Sequence, residues 1–232
     1  MSNTETSPLS AYDVLRHEIL HGDLLPGERL RAADLRERYN LGLTPIREAL
    51  MRLSSEGMVT NEVNRGARVR EATLEELHDL MQTRREIEEL CLTKAIALGD
   101  TEWEGEILRA MHLLARARLP ESPEDRETAA AWEVLHRKFH YALVAAAGSD
   151  WLLQIWRDLA DHSERYRKLR LLNYRNLAAD VRDVNAEHRQ IMEAVLNRDA
   201  AQAVALMNTH LRKTEDAVAR LLTSLDTRKA AP

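Results

Sequence analysis

The sequence predicts a mainly α-helical protein in two parts: a small N-terminal segment of short helices closed by a β-hairpin, then an all-α antiparallel bundle. Three features carry this. Between Leu30 and Val69 two short helical patterns flank a glycine-bearing connector and give way to a strand period. From Thr73 onward every segment keeps a helical period. Charge also divides along the chain: nine Arg and five acidic residues give Arg29 to Arg70 a net +4, leaving −9 for the rest of a chain whose formal charge is −5.

In order, residues 1–9 are polar and read as a frayed end. A helix is expected from Tyr12 to His21, with Leu15 and Ile19 on its buried face, and a second from Ala32 to Tyr39, with Ala32, Leu35 and Tyr39 on one face. The connector Asn40 to Leu43 contains Gly42. Thr44 is expected to cap the next helix and Pro45 to take its first position, where a missing N–H costs nothing. Ile46, Ala49, Leu50 and Leu53 then form the buried stripe, leaving Arg47, Glu48, Met51 and Arg52 on the opposite face. Beyond Gly57 the period changes, with strand candidates Met58 to Glu62 and Ala67 to Arg70 around the turn Asn64-Arg65-Gly66. Together these make an N-terminal winged helix-turn-helix with a small β-hairpin wing. Its second helix would enter a major groove, and Arg65 at the wing tip would meet backbone or minor groove. Spacing alone also fits a small helical subdomain with an ordinary hairpin.

Four runs make the reading specific: Leu24-Leu25-Pro26-Gly27-Glu28-Arg29-Leu30, Thr44-Pro45-Ile46-Arg47-Glu48-Ala49-Leu50, Glu56-Gly57-Met58-Val59 and Asn64-Arg65-Gly66-Ala67. In order and spacing they resemble the DNA-binding domain of the GntR family of bacterial transcription regulators. The resemblance is to the FadR-type branch and extends from about Tyr12 to Val218. It implies a winged helix over residues 8–72 and an all-helical (FCD) effector-binding and dimerisation domain over 73–225. It also implies a homodimer, with no membrane partner, that binds a palindromic double-stranded DNA operator and represses until a ligand relieves it. The expected DNA-binding residues are Arg31, Thr44, Pro45, Arg47, Arg52, Arg65 and Gly66. Gly42 and Leu43 stand where the family usually has Ser or Thr and then Arg, and Ala33 where it often has Arg; Arg31, Arg36 and Arg38 are the nearby replacements.

A basic front part supplies phosphate attraction, and an acidic partner domain limits indiscriminate binding. At 232 residues and 44% hydrophobic the chain can bury a sizeable core. Its single cysteine, Cys91, excludes a disulfide framework within the chain and fits a reducing cytoplasm. With no signal peptide, lipidation motif or eighteen-residue apolar run, a cytoplasmic location is expected.

In the second part, Thr73 and Glu76 form a capping box for a helix reaching Leu98. Arg84 interrupts its buried stripe of Leu77, Leu80, Met81, Ile87, Cys91 and Ala95, so either an internal carboxylate or a bound anion must meet that guanidinium. Further helices are expected over Glu102 to Arg118, Glu127 to Ala147, Asp150 to Leu171, Ala178 to Asn197 and Ala200 to Leu225, and short connections make neighbours antiparallel.

Four histidines lie on apolar stripes: His136 and His140 one turn apart, His188, and His210. Each must be neutral and paired, or all must be gathered on one cation. In the effector domain this half resembles, a metal is held by Asp or Asn, a His four residues on, and two later His. His140, His188 and His210 match the histidines, and His136 stands where the acidic ligand is usual. Imidazole ligands suit zinc, nickel or iron. A divalent ion on neutral ligands draws an anion, so a small organic acid effector is expected, met by Arg84 with Arg165 or Asn185 nearby.

Two enzyme patterns compete. His17-Glu18-Ile19-Leu20-His21 matches the His-Glu-x-x-His zinc peptidase signature, yet its helix faces both histidines to solvent. Glu75-x-x-His78 and Glu133-x-x-His136 match di-iron spacing, but His78 starts its helix and no second glutamate pair falls on core stripes. The expectation is that the chain is not an enzyme.

Overall fold

The computed structural model describes residues 10–21, 23–62, 66–122, 124–172 and 182–230. The chain divides into two compact units, Met1–Ala72 and Thr73–Pro232. Most described residues are helical, and the described strands form one small sheet in the first unit.

The first unit contains α1 (Ala11–His21), β1 (Arg29–Leu30), α2 (Ala32–Tyr39), α3 (Leu43–Ser55), β2 (Val59–Glu62) and β3 (Gly66–Val69). Leu15, Ile19, Leu35, Ile46, Leu53 and Val69 meet in its core, as the helical and strand periods require. The expected hairpin is present, with Val59 opposite Val69 and Glu62 opposite Gly66. Its outer neighbour β1 extends the sheet in the order β1-β3-β2. This strand escaped the sequence reading because two residues carry no alternation. Backbone hydrogen bonds from Gly27 N to Val69 O (3.0 Å) and from Val69 N to Glu28 O (2.9 Å) extend the attachment.

One capping assignment is corrected. The N-cap of α3 is Gly42, with no side-chain cap, and Thr44 is the second helical residue instead of the cap. Pro45 occupies the third position, not the first. Its ring covers Gly42, since a Cβ on Gly42 would stand 3.2 Å from Pro45 Cδ. The first intrahelical bond runs from Ile46 N to Gly42 O (3.1 Å), so Pro45 sits at the last position whose missing N–H is harmless.

The second unit contains α4 (Leu74–Leu98), α5 (Thr101–Ala115), α6 (Arg126–Val144), α7 (Asp150–Leu172), α8 (Val184–Leu196) and α9 (Ala200–Ala230). Side-chain caps set several starts: Thr73 accepts from Glu76 N, Asp100 from Trp103 N, Asp125 from Thr128 N and Asp183 from Ala186 N. The Asp183 cap moves the start of α8 to Val184, whereas the sequence reading began it at Ala178; residues 173–181 lie outside the described ones. Helix α6 stops at Val144 instead of Ala147, ahead of Gly148, whose φ is +68°. Helix α4 packs against α7 and α9, α5 against α6 and α8, and α8 against α9. Among the described residues no helix is long and apolar enough to cross a membrane.

Gly66 tests the wing. Its φ is +88°, and a Cβ there would stand 2.8 Å from the carbonyl oxygen of Leu30 on β1. Gly66→Ala should destabilise the winged unit by about 1–3 kcal/mol, read as a shifted denaturant midpoint; an unchanged midpoint would show that the β1–β3 approach is not tight.

Candidate functional site

Helix α3 presents Thr44, Arg47, Glu48, Met51 and Arg52 away from the core, all exposed. Arg47 makes no side-chain contact among the described residues, so its guanidinium is available to a partner. Arg52 is held: it stacks 3.6 Å from the Tyr12 ring centre and bonds Glu56 Oε1 at 3.1 Å. Tyr12 closes the triangle by donating to Glu56 Oε2 at 2.8 Å. Arg31 is the exposed N-cap of α2. Arg38, by contrast, spends its guanidinium on the Asp23 carbonyl (2.9 Å) and on Glu28 (3.5 Å). Gly66 opens β3, and Arg65 lies outside the described residues. The exposed start of α3, with its unpaired N–H groups, forms an electropositive end suited to phosphate.

The four histidines converge. His136 and His140 come from α6, His188 from α8 and His210 from α9, and one ligand atom from each lies within 4.8 Å of the others. None is more than 3% exposed. The Nε2 atoms of His140 and His188 are 3.3 Å apart. That is about the separation expected of two nitrogens each 2.0–2.1 Å from one tetrahedral ion. Trp132 stacks on His136 at 4.6 Å and Phe139 sits 5.0 Å from the His188 ring, walling the cluster. Burial first, then the Arg167 guanidinium, pushes His136 well below the ordinary imidazole range; burial and the neighbouring imidazoles do the same to His140. Both are therefore neutral and able to ligate.

His210 is oriented from behind. Its Nδ1 meets Glu187 Oε2 at 2.9 Å, which leaves Nε2 as the atom for an ion. Arg182 and Lys213 converge on the same carboxylate. Burial alone would raise the Glu187 carboxyl, but hydrogen bonds from His210, Arg182 and Lys213 hold it well below the usual carboxylate range. The sequence reading missed Glu187, and no spacing rule could have paired it with a histidine twenty-three residues away on another helix.

Beside the histidines runs a belt of buried charge. Arg84 and Arg167 both donate to Ser163 Oγ. Arg84 Nε lies 3.8 Å from Glu88 Oε2, while Arg167 Nε bonds Glu133 Oε1 at 3.1 Å. Glu133 Oε1 is also 3.7 Å from His136 Nδ1, so the belt abuts the histidines. Trp156 Nε1 donates to Glu88 Oε2 at 2.8 Å. Two guanidinium groups thus face two carboxyl groups; burial pushes the Glu88 carboxyl up, and the Arg84 guanidinium pulls it back down. Burial, then repulsion from Arg167, pushes Arg84 down to about 10, so it keeps its proton at neutral pH. Both alternatives for Arg84 remain open to it: Glu88 is an internal partner, yet Nε has no hydrogen-bond acceptor.

Arg165 is placed elsewhere. It pairs with Glu76 at 2.6 Å, and Tyr166 donates to the same carboxylate at 2.8 Å. The guanidinium that joins Arg84 at Ser163 is that of Arg167, which the sequence reading did not select. Asn185 is half-buried in the first turn of α8, three residues before His188. Glu88 was within reach of the sequence argument, being four residues beyond Arg84 on the same face.

The enzyme patterns dissolve into structure. His17 is exposed, and Glu18 accepts from Tyr39 at 2.8 Å, tying α1 to α2. Glu75 and His78 are exposed, with His78 Nδ1 at 2.6 Å from Glu215, and Glu133 serves Arg167.

A winged helix joined to an all-helical domain with a buried cluster of histidines and paired charges defines a class: DNA-binding transcription regulators that pair a reading head with a second domain. The chain belongs to the GntR family. Residues 9–69 match "Bacterial regulatory proteins, gntR family" and residues 79–213 match "FCD domain". It is 36% identical to the HTH-type transcriptional repressor GlaR of Escherichia coli strain K12, over 88% of this chain and 91% of that protein. It is 29% identical to the HTH-type transcriptional regulator BphR of Paraburkholderia xenovorans strain LB400, over 92% of this chain and 86% of that one. Among solved structures, E. coli McbR/YncC shares the fold with a TM-score of 0.73 and 19% identity, covering 91% of this chain and 96% of that one. A GntR regulator from Rhodococcus sp. RHA1 does so at 0.68 and 22%, covering 89% and 94%. The chain is a transcription regulator, not an enzyme.

Two outcomes follow from the histidine geometry. Glu187→Gln should weaken zinc binding about 10–100-fold in a chelator competition, because His210 exchanges a charged acceptor for a neutral amide and its imidazole becomes a weaker ligand; unaltered affinity would remove Glu187 from the site. Acid sensitivity is the second. Neutral in the fold and free to protonate when unfolded, His136 and His140 have depressed folded values, so their full contribution exists above about pH 6.5 and is lost as pH falls toward those values. Denaturant melts of metal-free protein, followed by its four tryptophans, all in the helical unit, should lose up to about 1.4 kcal/mol per pH unit per imidazole in that window. A flat profile below about pH 6.5 would contradict neutral burial.

Proposed function

We propose that the protein is a cytoplasmic repressor that binds a palindromic operator as a homodimer and releases it when a small organic acid enters the helical domain. The observation that carries this reading is the cage of four buried imidazoles beside a belt that holds two buried guanidinium groups. A divalent transition ion (zinc, nickel or iron) held by His136, His140, His188 and His210 would supply an uncompensated double positive charge there. With four neutral ligands that charge would go unmet, so a carboxylate is the natural complement. Arg84 Nε, buried and lacking an acceptor, is the donor that would orient it, with Ser163 and Arg167 beside it; Asn185, three residues before His188 on α8, would be a further contact.

On the DNA side, Thr44 and the amides at the start of α3 would grip phosphate, and Arg47 would meet phosphate or a guanine edge. Arg52, fixed by Tyr12 and Glu56, would offer its terminal nitrogens to the backbone, as would Arg31 at the start of α2. Arg65 and Gly66 would place the wing. Two copies related by a two-fold axis suit a palindromic site.

Helix α7 is a candidate carrier of the signal. It contributes Ser163 and Arg167 to the belt, and between them Arg165 and Tyr166, which grip Glu76 in the first turn of α4. That turn follows directly on the division between the units at Ala72 and Thr73. A ligand that displaces Ser163 and Arg167 must displace the Glu76 grip as well, because the four residues share little more than one helical turn.

Arg47→Ala should weaken binding to the gene's own upstream duplex by about 1–3 kcal/mol at fixed salt if Arg47 reads a base edge. Fluorescence anisotropy would measure it, and unchanged affinity would remove Arg47 from the contact surface. Organic acids should release metal-loaded protein from that duplex, whereas chelated protein or Arg84→Ala should stay bound at the same acid concentration. Equal release in all three would sink the metal-and-arginine reading of the effector site.

A further inference from the structure

Resting on the reading of α3 as the helix that meets DNA, we propose that Leu43 and Met51 read the 5-methyl groups of two thymines in each half of the operator. The outward face of α3 carries more than cations. Leu43 is 36% exposed and Met51 62% exposed, although both are large and apolar. They stand at the first and ninth positions of the helix, with Arg47 midway at the fifth. Residues four apart lie on one side of a helix about one turn from each other, so the three form a single row: apolar, cationic, apolar. The core stripe of α3 is Ile46, Ala49, Leu50 and Leu53, and neither Leu43 nor Met51 belongs to it. A single exposed apolar residue needs no explanation. Two that bracket Arg47, on the face turned toward DNA in the proposed function, form a pattern.

The major groove presents hydrogen-bond donors and acceptors on every base edge, and one apolar group, the thymine methyl. An apolar side chain pressed on a guanine, adenine or cytosine edge strips its water and returns no hydrogen bond. On a thymine methyl it removes apolar surface from water on both sides. Leu43 and Met51 therefore favour thymine and oppose the other bases through the same contact. Their position suits base contact. A reading helix touches base edges with its N-terminal residues, and Leu43 is the first residue of α3. Met51 lies about 12 Å further along the axis, at a rise of about 1.5 Å per residue. With base pairs about 3.4 Å apart, the two thymines would stand about three to four base pairs apart, on either strand, with the contact of Arg47 between them. Leu43 is short and sits at the tip of the helix, where approach is closest; Met51 is unbranched and can extend to a methyl farther away.

The test uses full-length protein and a duplex site that it selects from a random pool. Deoxyuridine replaces thymidine one position at a time, which removes the methyl and leaves base pairing intact, and fluorescence anisotropy at fixed salt reads the affinity. Each half of the site should contain two thymines, about three to four base pairs apart, at which the replacement weakens binding about threefold to fivefold, the scale of one buried methyl. In Leu43→Ala the penalty at one of them should fall to about 1.5-fold or less, with the other unchanged; in Met51→Ala the roles should reverse. A tightly bound site without such thymines, or one indifferent to their methyls, would overturn the inference and leave DNA binding by α3 standing. Losses that persist at both positions in both alanine variants would overturn it as well. If no duplex is enriched over the pool, the DNA reading fails and this inference fails with it. Both side chains are exposed, so neither variant should shift the denaturant midpoint; should one do so, the other variant and the wild-type scan decide.

Discussion

Burying four imidazoles within 4.8 Å of one another imposes a condition on everything around them. At no more than 3% exposure, with two guanidinium groups close by, His136 and His140 must stay unprotonated, and the fold has to be stable with that restriction in place. The surrounding sequence answers in two ways. Apolar rings close the cluster, Trp132 against His136 and Phe139 against His188. Polar partners are then rationed: Glu187 fixes His210, and Glu133 touches the edge of His136. A set of neutral nitrogens held so close is a poor apolar core and a good ion site, which is why the proposed account begins there.

The buried belt is the second half of the same arrangement. Glu88, Arg84, Ser163, Arg167 and Glu133 join α4, α7 and α6 across the bundle. Such buried pairs contribute little net stability once desolvation is counted, and breaking one partner out of a pair is expensive. Their value is positional. The belt ties three helices together, and it leaves Arg84 Nε, Glu88 Oε1 and Glu133 Oε2 without hydrogen-bond partners. Helix α7 connects the belt to the Glu76 grip at the start of α4, so a local change of partners has a mechanical route toward the winged unit along the chain.

Legibility in the sequence followed the range of the interactions involved. The winged unit could be read because its evidence is local: the stripe Ile46, Ala49, Leu50 and Leu53 is buried as the period requires, and the hairpin pairs Val59 with Val69. Strand β1 was invisible because two residues show no period, and its existence depends on β3 arriving beside it. Thr44 looked like a cap because side-chain chemistry favours it, but Gly42 adopted the extended cap conformation and Pro45 closed over it. In the bundle, the histidines stood out as polar residues on apolar stripes, and Arg84 as a charge within one. Arg167 and Glu187 did not, since what they touch lies on other helices: Glu133 for one, His210 for the other. Arg165 was chosen over Arg167 because periodicity cannot say which of two nearby arginines turns inward to a given partner.

The proposition on which the rest depends is that the four histidines hold one ion through nitrogen. X-ray absorption at the zinc edge, on full-length protein loaded to one zinc per chain without effector, addresses that most directly. The account predicts a first shell of imidazole nitrogens at about 2.0–2.1 Å, with the outer-ring scattering of several histidines, and loss of that signature in His140→Ala. A shell of oxygens alone, or a spectrum that His140→Ala leaves unchanged, would contradict it.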